Sequence, residues 1–305
     1  MTSIPANSLA NLSNSFAAAI AHAGQAIVTI HGGRRMTASG VHWQPGVVVT
    51  TDHALKHDEI TVTLGDRSLP ASLIGRDPGT DLALLKLSQS DIAVAEVGDS
   101  TQLQVGHLVF AVGRSPDSGV TASMGVIGAI GGTWRTWQGG QIDQYIRPDL
   151  SLYPGGAGSG LVDLNGRVVG INTSAPRSGV LTIPTTTVQR VIHQLLQSGR
   201  VVRGYLGVGM QPVALPPRLR ESLGLATEGG VIIVSTEAGS PADQAGVIIG
   251  DVIVALDDRP IQQVHDVHAV LDPDRVGKPL LARLIRAGEL LELTVVVGER
   301  PRRGV

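Results

Sequence analysis

Short apolar runs broken by turn residues dominate the first two thirds of the chain. Between residues 26 and 183 the segments "QAIVTIHG", "GVVVTT", "EITVTLGD", "LALLKLS", "HLVFAVG", "GVIGAIGG", "GLVDLNGRVVGIN" and "VLTIP" follow one another. Gly, Pro, Asp or Asn punctuate them, and no long helical period lies between. This pattern predicts a barrel or sandwich of short strands, a mainly β unit. Inside it, "VDLNGRVVGI" predicts a hairpin with Asn165-Gly166 in a type I′ turn. Ahead of it, residues 8–23 predict a small amphipathic helix.

The period changes after Pro184. In "TTTVQRVIHQLLQSGR", Val188, Val191, Ile192, Leu195 and Leu196 share one helical face, threonines supply the N-cap and Gly199 the stop. A second unit follows, with strands in "GYLGVGM", "GGVIIVSTE" and "DVIVALDDRPI". "SPADQAG" predicts a short helix capped by Ser240 with Pro241 in its first turn. "HDVHAVLDP" predicts another helix, ending before Pro273, and "PLLARLIRAGELLELTVVVGE" a hairpin turning at Ala287-Gly288. The expected boundaries are 1–199 for the first unit, 200–203 for a linker, 204–300 for the second unit and 301–305 for a tail.

Composition narrows the function. The 305 residues are 42% hydrophobic and 16% charged, with 39 glycines, which marks a globular chain rich in tight turns. A net charge of −2 and the lack of a basic stripe argue against nucleic acid, and Arg300, Arg302 and Arg303 read as a solvated tail. The chain has no cysteine, which excludes disulfides, thiolate metal sites and cysteine nucleophiles. No run approaches the ~18 apolar residues of a membrane span. The N-terminus has no basic n-region, and His22 and Gln25 interrupt its apolar run, so the expected location is the cytoplasm.

His53 follows the apolar strand "GVVVTT" and Asp81 precedes "LALLKL". A histidine and an aspartate at strand ends, with a glycine-rich turn much later, suit a hydrolase triad: the histidine as base, the aspartate fixing its tautomer. Taken alone that signal is weak, since histidines after strands are commonly ordinary turn residues. His53 and His57 also stand four apart, with Asp58 and Glu59 beside them, but Ala54 occupies the place of the glutamate that a zinc peptidase motif needs. "GGAGSG" has no lysine and precedes a strand, so a phosphate loop is excluded, and "GVIGAIGG" reads as strand packing. No metal or organic cofactor is expected.

Together these segments resemble the HtrA (Deg) family, trypsin-like serine proteases with a C-terminal PDZ domain, over roughly residues 10–300. "VVVTTDHAL" resembles the family's histidine segment and "LIGRDPGTDLALLKL" its aspartate segment. "VGDSTQLQVGHLVFAVG", "VTASMGVIGAIGG" and "VLTIPTTTVQRVIHQLLQSGRVVRGYLGV" resemble the strands and the passage that follow. The resemblance implies a chymotrypsin-like double β-barrel followed by a PDZ domain, with His53 as general base and Asp81 as its partner. The family's nucleophile segment usually reads G-N-S-G-G. With "LVDLNGRVVGIN" as anchor, Gly155, Gly156, Ala157, Gly158 and Ser159 take those places. Alanine therefore stands at the nucleophile position.

The oxyanion hole uses backbone N–H groups, by resemblance those of Gly155 and Ala157, and alanine preserves them. Ser159 lies two residues out of register and reads as a turn serine. Two origins account for Ala157: a substitution that silences an enzyme, or a natural pseudoprotease kept as a peptide-binding or chaperone-like scaffold. Retention of His53 and Asp81 favours the first. In the second unit, "RGYLGVGM" resembles the PDZ carboxylate loop, implying Tyr205, Leu206, Gly207 and Val208 as peptide-binding residues. Arg203 is either a carboxylate partner or solvated, and of His265 and His268, three apart on the helix, either one lines the groove or both are surface histidines. The family implies cleavage of unfolded or damaged proteins, capture of peptide C-termini, assembly as a homotrimer to which Phe16 could contribute, and export to the periplasm as the alternative location. Cleavage specificity would lie in the loops near 168–182.

Overall fold

The computed structural model describes residues 6–32, 37–56, 59–88, 91–136, 138–175, 179–201, 204–271 and 275–299. The chain divides into two compact units, residues 1–201 and 202–305.

In the first unit a helix α1 (Ala6–Gly24) leads into a closed barrel. Its strands are β1 (Ile27–His31), β2 (Thr37–Gln44), β3 (Val47–Thr51), β4 (Ile60–Leu64), β5 (Arg67–Asp77) and β6 (Leu82–Leu87). They join in the order β1-β2-β3-β6-β5-β4, closed by β1 against β4. The second barrel comes from β7 (Leu108–Ser115), β8 (Gly119–Gly131), β11 (Tyr145–Asp149), β12 (Gly160–Val162), β13 (Val168–Ala175) and β14 (Gly179–Pro184). Between β8 and β11 lies a short hairpin, β9 (Trp134–Arg135) with β10 (Gln141–Ile142). The second barrel runs β11-β14-β13-β12-β7-β8 and closes through β8 and β11.

Closure explains the apolar runs. Val28, Ile30, Val48 and Leu85 fill the first barrel, and Val109, Ile127, Ile146 and Leu161 the second, all at most 1% exposed. Closed barrels leave no open edge. The glycines of "GVIGAIGG" serve packing: a Cβ on Gly125 would fall 2.0 Å from the Asp149 carbonyl of β11. Helix α1 docks on this body through Ala19, Ala23 and Phe16, whose ring meets Phe110 edge-on with centroids 5.4 Å apart. Phe16 thus binds the helix to its own barrel.

The structure alters two local expectations. The hairpin β12–β13 forms, but its turn is not type I′. Only Gly166 has positive φ (82°), while Asn165 is not among the described non-glycine residues with positive φ. Asp163 organises the turn instead, its carboxylate accepting the N–H groups of Asn165 and Arg167, both at 2.9 Å. This is the longer loop with glycine in the left-handed region. Helix α2 (Thr185–Ser198) starts without a threonine cap: Pro184 is the N-cap residue. The hydroxyls of Thr185 and Thr187 go to Ser100 and Asp143 instead, tying the helix to the barrel. Gly199 ends it as expected, at φ 68°.

The second unit is a sheet of β16 (Val208–Ala214), β17 (Gly229–Thr236), β18 (Val252–Leu256), β20 (Pro279–Arg286) and β21 (Glu289–Val296), in the order β16-β17-β18-β20-β21. The short pair β15 (Gly204–Tyr205) and β22 (Gly298–Glu299) and the appendage β19 (Arg259–Pro260) complete the strands. Helices α3 (Pro217–Leu223), α4 (Pro241–Gln244) and α5 (Val264–Val270) cover it. Ser240 caps α4 as expected, and Ala287-Gly288, at φ 50° and 87°, make the expected tight turn. Helix α3 and strands β2, β5 and β11 are additions to the elements the pattern predicts.

Helix α2 places Val188, Val191 and Leu195, each 0% exposed, against the barrels. Burial of such a side chain stabilises by ~1.5–3 kcal/mol, and truncation adds the cost of a cavity. Leu195→Ala should therefore lower stability by ~2–5 kcal/mol, read as an earlier urea midpoint with unchanged m-value.

Candidate active site

His53 sits in a one-turn 3₁₀ helix, Asp52–Ala54, that follows β3. Asp81 stands just before β6, the strand paired with β3, so adjacent strands deliver both side chains to one rim. The His53 Nδ1–H donates to Asp81 Oδ2 at 2.8 Å, and the His53 backbone N–H donates to Oδ1 at 3.0 Å. Asp81 adopts φ 57°, a left-handed conformation that Asp tolerates better than most residues. Its carbonyl accepts the Asp52 N–H at 3.1 Å, and the preceding turn is shaped by Asp77, whose carboxylate accepts from Gly79 N–H and Thr80 Oγ1.

Three residues not singled out by sequence reading complete this array. Thr173, on β13 of the other barrel, donates its hydroxyl to Asp81 Oδ2 at 2.6 Å. Arg76, on β5, pairs with the Asp52 carboxylate and donates to the Asp52 carbonyl at 3.0 Å, clamping the histidine turn. Burial pushes the Asp52 carboxyl above its ordinary range, and Arg76 opposes that rise. Ser39, on β2, donates its hydroxyl to the Gly155 carbonyl at 2.9 Å and its N–H to the Ala157 carbonyl at 2.8 Å. None of these pairings has a fixed sequence spacing, so no motif announced them.

The turn 153–158 comes from the second barrel. Gly155 and Gly158 have φ near 80°, and a Cβ on Gly158 would lie 2.2 Å from the Ser39 carbonyl, so only glycine fits there. The Gly158 N–H reaches the Asn172 carbonyl at 2.9 Å, next to the Thr173 that holds Asp81. Ala157 is half-buried, and among the described residues neither its N–H nor that of Gly155 meets an acceptor. Ser159 is turned inward, 1% exposed, its Oγ accepting from Asn172 Nδ2 at 3.1 Å. Its hydroxyl belongs to a buried Ser159–Asn172–Thr182 chain.

His57 and Asp58 lie outside the described residues, as does Arg203. Among the described residues no cluster of His, Cys, Asp or Glu suits a metal ion.

In the second unit, Gly207 adopts φ 79°, and a Cβ there would lie 2.2 Å from the Ser240 Cβ. Leu206 is buried and its carbonyl caps Ala242 N–H at 2.9 Å, while Tyr205 Oη bonds to Glu237. Among the described residues the N–H groups of Leu206 and Gly207 have no acceptor. The next strand, β16, is an edge of its sheet with α5 packed beside it. On α5, His265 is exposed beside Asp266 and His268 is half-buried.

A double barrel with a His–Asp pair at its rim, joined in sequence to an open-edged PDZ sheet, defines a trypsin-like protease architecture. Comparison with known proteins agrees. Sequence models of a trypsin-like peptidase domain and a PDZ domain match residues 38–171 and 204–297. Solved HtrA-type proteases superpose over 94% of the chain. AlgW with a tripeptide gives 31% identity, a TM-score of 0.74 and 98% coverage of that chain. A serine-to-alanine variant of AlgW, also with a tripeptide, gives 32%, 0.76 and 97%. The chain belongs to the HtrA family.

Probable periplasmic DegP-like serine endoproteases of Brucella suis and Pseudomonas fulva are 35% and 37% identical over 85% and 84% of this chain. The chain spans about half their length, 51% and 54%. These names overturn the cytoplasmic expectation, because they assign the relatives to the periplasm. Charge and hydropathy at an N-terminus were too indirect a signal to decide location.

The Asp81 hydrogen bond raises the His53 pKa above its ordinary 6.5, against an opposing effect of burial. The pairing therefore stabilises the fold fully below pH 6.5, and that contribution is lost as pH rises through the raised value. In an NMR titration the His53 ring should show a midpoint above 6.5, and Asp81→Asn should bring it down.

Proposed function

We propose that this chain carries the site of an HtrA-type serine endopeptidase of unfolded or damaged proteins, silenced by a serine-to-alanine change at residue 157. The supporting observation is the hydrogen-bonded array His53–Asp81–Thr173 beside a turn whose Gly155 and Ala157 N–H groups are unengaged. In this reading His53 Nε2 is the base that would take the nucleophile's proton, and Asp81 holds the tautomer and stabilises the imidazolium. The N–H groups of Gly155 and Ala157 receive the carbonyl oxygen as charge develops on it. A methyl group at residue 157 has neither the lone pair to attack nor the proton to surrender, so peptide binds and is not cut. A pseudoprotease of long standing, acting as a scaffold, is the alternative. It has no catalytic reason to keep the His53–Asp81 pair.

On the same reading the PDZ unit captures peptide C-termini, with the carboxylate on the Leu206 and Gly207 N–H groups and the peptide added as a strand along β16. The protein works in the periplasm, like its named relatives, and assembles as a homotrimer through its protease domains.

Ala157→Ser should restore casein cleavage by on the order of 10⁶-fold and permit fluorophosphonate labelling, and His53→Ala in that background should abolish both. Continued inactivity with an intact circular dichroism spectrum would sink the enzyme reading in favour of the scaffold. For the second unit, Gly207→Ala should weaken binding of a peptide with a free C-terminus by about tenfold in fluorescence anisotropy, to the level of its C-terminal amide.

A further inference from the structure

Ser39 is a polar residue with no exposure, placed where the first barrel meets the second. Every polar atom it carries is engaged. Its N–H donates to the Ala157 carbonyl at 2.8 Å, and its hydroxyl donates to the Gly155 carbonyl at 2.9 Å. The hydroxyl oxygen also accepts the Arg114 N–H of β7 at 3.0 Å, and the Ser39 carbonyl accepts the Thr50 hydroxyl at 2.7 Å. The two carbonyls it holds flank one peptide unit, Gly156–Ala157, which bears the Ala157 N–H. Glycine at 155, 156 and 158 leaves that segment little torsional resistance of its own. A carbonyl held on each side supplies the restraint that the glycines lack.

We infer that Ser39 is a positioning residue for the oxyanion turn: its hydroxyl and N–H fix the Gly155 and Ala157 carbonyls so that the two unengaged N–H groups converge on one point. The hydroxyl is itself oriented, because the Arg114 N–H occupies its oxygen and directs its proton to Gly155. The inference rests on the reading of this turn as the oxyanion site. Its physical basis is preorganisation: donors aimed in advance cost no reorganisation when charge develops. Ser39 touches no substrate and acts only through the turn.

The test compares Ser39→Ala with its parent in full-length Ala157→Ser protein. The exchange deletes one hydroxyl and keeps the N–H bond to residue 157. The expected result is a kcat lowered by about 10- to 100-fold with KM changed less than about threefold. The His53 limb of the pH profile should stay in place, and fluorophosphonate labelling should be slower but still reach full stoichiometry. An unchanged kcat overturns the inference. So does loss of labelling stoichiometry together with a lower melting temperature, which would make Ser39 a structural residue only.

A second measurement needs no catalysis and separates this inference from the proposed function. In the chain with Ala157, Ser39→Ala should shift the amide resonances of Gly155, Gly156 and Ala157 and speed their hydrogen exchange, leaving the His53 Nδ1–H resonance unmoved. Unchanged amides overturn the inference even if Ala157→Ser is active. If that protein is inactive but the amides respond, the positioning role stands and the enzyme reading falls.

Discussion

The site depends on two closed barrels being held face to face, because neither contains it alone. His53 and Asp81 belong to the first barrel, and the turn with Ala157 belongs to the second. A few directed hydrogen bonds cross between them. Thr173 donates to Asp81, Ser39 to Gly155 and Ala157, and Arg114 to the carbonyl of Ile27 at 2.6 Å. Apolar packing across the interface is not directional, and a displacement of 1 Å between reacting groups is costly. Hydrogen bonds with fixed geometry set the register that packing leaves loose.

This arrangement explains why the alanine is compatible with an intact fold. The conformation of residues 153–158 is set by backbone bonds, by the Ser39 hydroxyl on the Gly155 carbonyl and by glycine at positive φ, none of which involves a side chain at residue 157. A serine hydroxyl there would project from the turn without supporting it. Chemistry and architecture are separable at this one position, whereas at Gly158 they are not, since any side chain would strike Ser39. The inward Ser159 makes the same point from the other side: a hydroxyl two residues away is committed to Asn172 and the barrel interior.

The PDZ unit repeats the use of glycine for backbone exposure. Gly207 in the left-handed region lets the loop before β16 turn its N–H groups outward, and Ser240 occupies the space a side chain would need. The strand beside it is an edge, so one of its sides is left open in the sheet. Both units thus present N–H groups on glycine-containing turns next to defined strands.

Local chemistry was enough to read much of this in the sequence. Alternation and turn residues marked most strands, Gly199 and Ser240 marked helix ends, and ordered family-like segments pointed to His53, Asp81 and the turn at Ala157 as candidates. The threonine cap of α2 and the I′ turn at Asn165 were misread because Thr185, Thr187 and Asp163 had stronger partners in the folded chain. Strand β2, with Ser39, did not stand out, since "TASGVHWQ" is short of continuous apolar residues. By itself the sequence determined many of the strands and helices, the division into two units and the absence of a hydroxyl at residue 157, for these follow from neighbours along the chain. Only the tertiary structure decided that Thr173, Arg76 and Ser39 support the site. Their hydrogen bonds to Asp52, Asp81, Gly155 and Ala157 join residues 24 to 118 positions apart, so Arg76 meets its partner only once the first barrel has closed, and Thr173 and Ser39 only once the two barrels pack together.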